Sequence, residues 1–291
     1  MNGAEQRRTS ARLPGLLGDT VARDYSSKLR RFNLFAEPEL RRAIDGLGLK
    51  PGMHVLDAGS GSGVALPWLW DAVAPSGTVI GIDLASAHIA AARSSAPARI
   101  ALVQGDLRQL PFASQSFDVI WSVNTVNHLR EPLPALRSLV QLLRRGGRIA
   151  LGQSSLLPDM FFAWDARLER LTTEAVYRHY RDRYALSERQ LTDRRALVGW
   201  LRGAALRNVS SRTIVVERVS PLKPADEAYL LETIFRDTWG ERLRPYLSPE
   251  DFDELTALCD PHHAAFALHR PDFHFLQTFT LVVAEAAGSV T

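Results

Sequence analysis

The first half of the chain alternates short apolar runs with segments in which apolar residues recur every three or four positions. The apolar runs are MHVLDAG, GTVIGIDLA, ARIALVQGDL, FDVIWSVN and GGRIALGQ, and the helical patterns are VALPWLWDAV, SAHIAAARSSA and EPLPALRSLVQLLR. Buried parallel strands are short and apolar, and helices connect them. The pattern therefore predicts an α/β fold, a doubly wound parallel sheet with helices on both faces.

The segments that flank this alternation have a different pattern. Residues 20–47 predict a helical segment interrupted at Pro38, and residues 208–219 and 273–286 predict two further strands. Aromatic and arginine-rich residues 154–185 predict a helical cap insertion without a strand. We therefore expect an N-terminal tail and helical segment over 1–47, a core over 48–153, the cap over 154–185, and the rest of the core over 186–291 with a second helical insertion over 221–272.

Composition narrows the class of protein without identifying it. The 291 residues are 46% hydrophobic and 23% charged with a net charge of +3, which is typical of a globular protein and does not favour nucleic-acid binding. Cys259 is the single cysteine, so neither a disulfide nor a zinc site is expected, and a reducing cytoplasm fits best. No run of 18 apolar residues predicts a membrane span, and the first fifteen residues resemble a frayed tail rather than a secretion signal.

The stretch HVLDAGSGSG places three glycines directly after the first predicted strand. Glycines in such a turn allow a ligand to approach the backbone closely. Gly59, Gly61 and Gly63 do not fit the dinucleotide motif G-x-G-x-x-G, whose third glycine would fall at Val64. Asp57 lies two residues before Gly59, where a carboxylate would repel a pyrophosphate and attract an ammonium or sulfonium group.

Two more acids follow the next two predicted strands. Asp83 ends the second strand, where a carboxylate can accept both hydroxyl hydrogens of a ribose, and Asp106 ends the third, where it can accept from an adenine amino group. The carboxyl ends of parallel strands share one edge of the sheet, the usual place for a ligand. The three acids together predict a site for a nucleoside with a cationic tail. Asp83 is also compatible with a helix N-cap role, and Ser86 is the expected cap of the second helix.

The successive motifs VLDAGSGSG, GIDLA, GDLRQLPFASQSFDVIWSVNTVNHL and LRRGGRIAL resemble those of class I S-adenosylmethionine-dependent methyltransferases that act on small molecules. The resemblance covers about residues 45–152. It implies a Rossmann-like sheet of seven strands, the last antiparallel, with S-adenosyl-L-methionine as the cofactor along its carboxyl edge. The resemblance places the methionine part beside Asp57, Gly59, Gly61, Gly63 and Asn124, the ribose beside Asp83 and Leu84, and the adenine beside Asp106 and Leu107.

Four residues are candidates for contact with the methyl acceptor. The resemblance places His128 near the transferred methyl group, although a lone histidine after a strand also commonly satisfies a loop carbonyl. Tyr25 is a candidate for closing over the methionine end. His179 and Tyr180, in YRHYRDRY, are candidates in the cap, where a surface helix is the competing interpretation.

Methyl transfer chiefly requires that the acceptor be held in line with the methyl carbon, so little acid–base machinery is needed. The aromatic content of the two insertions favours a small, largely apolar or aromatic acceptor of the natural-product, quinone or lipid type, methylated on O, N or C. A protein or RNA acceptor is disfavoured by NTVNHL after the fourth strand. A protein of the same fold that binds the cofactor as a cyclase or regulator without methyl transfer stays open, as does a homodimer.

Overall fold

The computed structural model describes residues 22, 24, 26–155, 157–162, 164–188, 191 and 196–287. Its sheet has eight strands: β1 His54–Ala58, β2 Thr78–Asp83, β3 Ala101–Gln104, β4 Phe117–Val123, β5 Leu143–Ser154, β6 Asp159–Phe161, β7 Arg207–Val219 and β8 His274–Glu285. The α-helices are α1 Ser26–Phe35, α2 Glu37–Asp45, α3 Leu66–Val73, α4 Ser86–Ser95, α5 Pro132–Leu142, α6 Ala166–Tyr184, α7 Leu197–Gly203, α8 Pro224–Tyr229 and α9 Pro249–Cys259. Shorter helical turns cover Val126–His128, Leu230–Arg236, Glu241–Tyr246 and Ala267–His269.

The strand order is β3-β2-β1-β4-β5-β8, with β6 and β7 both paired to β8. Strands β1 to β5 are parallel, and β8 runs antiparallel to β5. The order reverses between β1 and β4, which opens a crevice at the carboxyl ends of these strands. The predicted doubly wound α/β fold with an antiparallel last strand is therefore confirmed.

The sheet has one strand more than the seven expected. Strand β6 pairs antiparallel with the start of β8, from Asp159 opposite Leu276 to Phe161 opposite His274. Strand β5 pairs antiparallel with the later part of β8, from Phe279 to Glu285. Strand β7 pairs with β8 over Arg207–Val219. Residues 154–185 were expected to lack a strand, and that expectation is wrong, because the chain resumes pairing along β8 after β5 ends and buries Met160 there.

Helix boundaries differ from expectation in two places. The helical segment of residues 20–47 is two helices that meet at Ala36, and Pro38 lies in the first turn of α2, where its missing N–H costs nothing. Helix α4 begins at Ser86 with Ala85 as its N-cap, so the expected Ser86 cap is wrong by one residue. Residues 188–206 have the pattern of an amphipathic helix. This segment lies partly outside the described residues, and α7 covers Leu197–Gly203 within it.

Apolar side chains cover both faces of the sheet. Helices α5 and α7 pack Leu136, Leu139 and Leu201 against Ile149 and Val282 on one face. The other face is covered by the core cluster to which α2, α3, α6 and the helices of residues 224–269 contribute. Within the described ranges, no helix combines the length and apolar character needed to cross a lipid bilayer.

Candidate active site

The carboxyl ends of β1, β2 and β3 meet at a cavity of about 1070 Å³. We call it the first cavity. The residues predicted from the sequence that line it are Asp57, Gly59, Gly61, Asp83, Leu84, Asp106, Leu107, Asn124 and His128. The tertiary structure thus brings the predicted cofactor residues together, except for Gly63.

The glycine turn between β1 and α3 uses its own amide groups. The N–H groups of Gly59 and Ser60 both donate to the Ile82 carbonyl at 2.8 and 3.0 Å, and Gly61 N–H donates to Asp83 Oδ2 at 2.9 Å. A phosphate-binding loop needs such amides to point at the ligand. These three amides are therefore already engaged and do not point at a ligand, in agreement with the failed dinucleotide motif.

Each of the three glycines has a left-handed backbone, with φ of +83° at Gly59, +53° at Gly61 and +77° at Gly63. A Cβ atom at Gly59 would overlap the Thr125 side chain, and one at Gly63 would lie 2.8 Å from Ala92 Cβ in α4. Glycine is thus required by the backbone conformation and by packing. Gly63 fixes helix α4 against the turn and is not part of the cavity wall.

The Asp83 carboxylate joins the glycine turn to helix α4. Besides Gly61, it accepts from the Ala85 N–H at 2.9 Å, and Oδ1 lies 3.1 Å from His88 Nδ1. His88 is buried and lines the first cavity. These contacts fix the carboxylate at the cavity wall, where a ribose would find it already oriented.

Asp57 is the most buried of the three acids, with 3% of its surface exposed. Burial raises the pKa of its carboxyl to about 8, and the nearby negative charge of Asp83 adds to the rise. The carboxyl is therefore mostly protonated at neutral pH in the structure described here. A cation placed beside it would favour ionisation.

The Asp106 carboxylate is hydrogen-bonded to Arg108, a residue outside the predicted site. The Arg108 guanidinium donates from Nε to Oδ1 at 3.0 Å and from Nη2 to Oδ2 at 2.7 Å, and its backbone N–H donates to Oδ1 at 2.9 Å. An adenine amino group at Asp106 would bind beside Arg108 or displace it. The expected role of Asp106 thus depends on how this arginine moves.

Asn124 ties the end of β4 to the end of β5. Its backbone is left-handed (φ +53°), its Nδ2 donates to Ser154 Oγ at 3.1 Å, and its Oδ1 accepts from Ser154 N–H at 2.8 Å. The side chain therefore has a fixed orientation in the wall of the first cavity.

The four residues predicted to contact the methyl acceptor do not lie together. His128 lines the first cavity from the helical turn after β4. His179 and Tyr180 do not line it; the His179 ring packs edge-on against Tyr180 and Tyr246 at 5.8 and 6.0 Å. Burial, together with the charges of Arg242 and Arg183, lowers the pKa of His179. Tyr25 lies outside the described residues.

Several cavity residues were missed by sequence reasoning. Leu29 and Phe32 of α1, His88 of α4, and Trp121 and Thr125 near the end of β4 all line the first cavity. Of these residues, only His88 could have been predicted from the sequence, because a histidine five residues after the acid at a strand end lies about one helical turn from that acid. The others are apolar or small residues of ordinary pattern.

The first cavity fits S-adenosylmethionine in chemical terms. It offers three carboxyl groups for a ribose, an adenine and a cationic part, and the amides of Gly59, Ser60 and Gly61 in its glycine turn already have acceptors in the protein. Ser60 Oγ lies in its wall, is buried, and has no hydrogen-bond partner. A buried hydroxyl without a partner costs stability and is expected to meet a polar ligand or water. The described residues contain no His, Cys, Asp and Glu cluster suited to a metal ion.

Residues 56–151 match a family model described as a methyltransferase domain. The 27-O-demethylrifamycin SV methyltransferase of Amycolatopsis mediterranei is 32% identical over 118 residues, covering 39% of this chain and 43% of the relative. The demethylmenaquinone methyltransferase of Beutenbergia cavernae is 30% identical over 141 residues, covering 48% and 57%. The matches thus span about half the length of these curated relatives.

A solved structure extends the similarity of fold over nearly the whole chain. The 4+2 cyclase SpnF is superimposable with a TM-score of 0.53 and 18% identity, over 95% of this chain and 97% of that protein. The helical layers beyond the core therefore belong to a shared architecture.

Proposed function

We propose that the protein transfers a methyl group from S-adenosylmethionine to a small molecule, because residues 56–151 match a family model described as a methyltransferase domain. The observation that carries the proposal is the convergence of Asp57, Asp83 and Asp106 on one cavity beside a glycine turn.

Bound S-adenosylmethionine supplies an electrophilic methyl group on a sulfonium. We assign the ribose hydroxyls to Asp83, held in place by Gly61 and His88, and the adenine amino group to Asp106. We assign the cationic part to Asp57, whose carboxyl would lose its proton as the cation arrives. Asn124, fixed by Ser154, would orient the methionine tail.

His128 is proposed to act on the acceptor. A hydroxyl or carbon acceptor has a proton to lose, and a histidine in the cavity wall would take it, an effect worth roughly 10² to 10⁴ in rate. An amine acceptor would need only correct placement beside the methyl carbon.

The acceptor is proposed to be a small ring-bearing metabolite of the natural-product, quinone or lipid type. The names of the two relatives support this, since one acts on a demethylrifamycin and the other on a demethylmenaquinone. Selection of the acceptor is proposed to lie in residues 154–185 and 221–272, which form a cap in the expected domain division.

The first test is calorimetric titration with S-adenosylhomocysteine, followed by detection of its release from S-adenosylmethionine in the presence of hydroxylated, aromatic and amine acceptors. Asp83→Ala is expected to weaken the calorimetric affinity by tenfold or more, because the ribose and the turn both lose a partner. Asp71→Ala, at an exposed aspartate of α3, is the matched control and should bind normally.

The same experiment separates methyl transfer from its alternative. A cyclase or regulator of this fold would bind the cofactor but release no S-adenosylhomocysteine with any acceptor, and SpnF shows that the fold serves a cyclase. Absence of any cofactor binding would contradict both functions.

A further inference from the structure

A second cavity of about 1490 Å³ lies between helix α6 and the ends of β5 and β8. It shares a wall with the first cavity, because Ser154 lines the second cavity and is hydrogen-bonded to Asn124, which lines the first. The hydrogen-bonded side chains of Asn124 and Ser154 would therefore lie between a molecule in the second cavity and the cofactor site.

The wall of the second cavity is rich in hydroxyl groups. Thr172 in the middle of α6 is 1% exposed, and its Oγ1 has no hydrogen-bond partner. Threonine within a helix can satisfy its hydroxyl with a carbonyl of the preceding turn, and this one does not. Ser155 Oγ lines the same cavity and also lacks a partner. Two unmatched buried hydroxyls indicate a ligand that carries several hydrogen-bonding groups.

The charge of the described wall disfavours anionic ligands. Among the described residues that line the second cavity, the charged side chains are Asp159 and Glu169, both acidic. Four of the five arginines of α6 are engaged elsewhere, for example Arg167 with Asp251 and Arg178 over the Tyr246 ring at 5.3 Å, and none of the five lines the cavity. The arginine-rich cap sequence therefore does not imply an acidic ligand.

Aromatic rings complete the wall. Trp164 and Trp239 stack at 5.4 Å and line the cavity together with Tyr177. Most other aromatic side chains of the cap pack on one another, as Phe235 does on Trp239 and Phe266. Most aromatic residues of the cap thus belong to its hydrophobic core. The wall of the second cavity combines a few aromatic rings with many polar groups.

We propose that the second cavity is the acceptor pocket and takes a hydroxyl-rich, non-anionic ring compound, such as a sugar or amino sugar, free or attached to a larger metabolite. The assignment as acceptor pocket rests on the proposed methyltransferase function. The ring would lie against the indoles, its hydroxyls would meet Thr172 and Ser155, and an amino group would lie near Glu169.

The test is ligand-observed NMR titration of the full chain with methyl glucosaminide, methyl glucoside and glucuronate, with and without S-adenosylhomocysteine. We expect the amino sugar to bind best and glucuronate least. Thr172→Val should weaken binding of both neutral and amino sugars about fivefold, the loss expected for one neutral hydrogen bond. Thr256→Val, whose hydroxyl donates to the Phe252 carbonyl, is the control and should bind like the parent.

Glu169→Gln should abolish the preference for the amino sugar, and Glu174→Gln, on the same helix but not in the cavity wall, should retain it. Equal binding of glucuronate and glucoside, no sugar binding, or unchanged binding by a folded Thr172→Val variant would overturn the proposal. Sugar binding without S-adenosylhomocysteine binding would instead contradict the proposed function alone.

Discussion

The two cavities lie on either side of the hydrogen bond between Asn124 and Ser154, but the chain builds them differently. The first is lined mostly by residues 57–129, in which an acid lies at or just after the end of each of the strands β1, β2 and β3. The second combines residues from β5, β6, α6, α7, β7 and β8, which are spread over positions 153–282 of the sequence. Contiguous motifs thus produce the first site, and segments far apart in the chain produce the second.

The cavities also differ in how far the protein satisfies its own polar groups. In the first, the amides of Gly59, Ser60 and Gly61 and the Asp83 and Asp106 carboxylates have protein partners, which orients them before any ligand arrives. In the second, buried hydroxyls of Thr172 and Ser155 have none. We infer that the first cavity is organised by the fold and that the second depends on its ligand for part of its hydrogen bonding.

His128→Ala gives the largest expected effect. If the acceptor is a hydroxyl or carbon acid that extends from the second cavity to His128 in the wall of the first, loss of this base should lower kcat by about 10² to 10⁴ and leave affinity for S-adenosylhomocysteine unchanged. His262→Ala, at an exposed loop position, is the control and should retain parental kcat. Normal turnover by the His128 variant would mean that the first cavity holds only cofactor residues.

Gly59→Ala tests whether the first cavity is fixed by packing. The substitution adds left-handed strain and an overlap with Thr125, so unfolding free energy should fall by about 3 kcal/mol and cofactor affinity should fall with it. Gly146→Ala has the same kind of backbone (φ +71°) but open space around the added atom, so about 1 kcal/mol is expected. If chemical denaturation shows similar losses of unfolding free energy for the two variants, backbone strain and not the overlap with Thr125 determines the loss.

Asp57→Asn tests the charge of the first cavity. Below pH 8 the folded carboxyl is mostly protonated, so a cationic ligand that favours its ionised form should release close to one proton. Affinity for S-adenosylmethionine, which carries the cation, should then rise up to tenfold per pH unit as pH increases toward 8. Calorimetry in buffers of different ionisation enthalpy should show proton release that the Asn variant lacks. Proton uptake by the parent would contradict the assignment of the cation to Asp57.

The same raised pKa predicts a stability effect with a definite sign. An unfolded aspartate ionises near pH 4, whereas the folded Asp57 keeps its proton until about pH 8, so this group makes the protein less stable as pH rises between those values. Asp57→Asn should therefore increase the thermal unfolding temperature more at pH 8 than at pH 5. A larger increase at pH 5 would show that the carboxyl is ionised in the folded protein.

The smallest expected effect compares one buried hydroxyl from each region. Ser122 Oγ donates to the Ala58 carbonyl at 2.7 Å, so Ser122→Ala should lower unfolding free energy by about 1 kcal/mol. Thr172→Val removes a hydroxyl without a partner and should be neutral or stabilising by up to about 1 kcal/mol. Equal destabilisation in denaturant titrations would mean that Thr172 is satisfied by water in the free protein.

The sequence by itself determined the core of the sheet and most of the first cavity. The short apolar runs predict strands β1 to β5. Because parallel strands end at one edge of the sheet, an acid at the end of each of the first three strands faces the same crevice. Asp57, Asp83 and Asp106 could therefore be placed together from their positions alone.

Only the tertiary structure decided which polar groups are already engaged and where the cap residues lie. Arg108 on Asp106, His88 against Asp83, and the short strand β6 all depend on side-chain geometry or long-range pairing that no local pattern encodes. His179 and Tyr180 were candidates by residue type, yet the orientation of α6 places His179 against Tyr246 and Tyr180 against Tyr184, and presents Thr172 and Tyr177 to the second cavity instead. A helical pattern gives the period of a helix, whereas its rotation against the sheet is set by packing with segments far away in the chain.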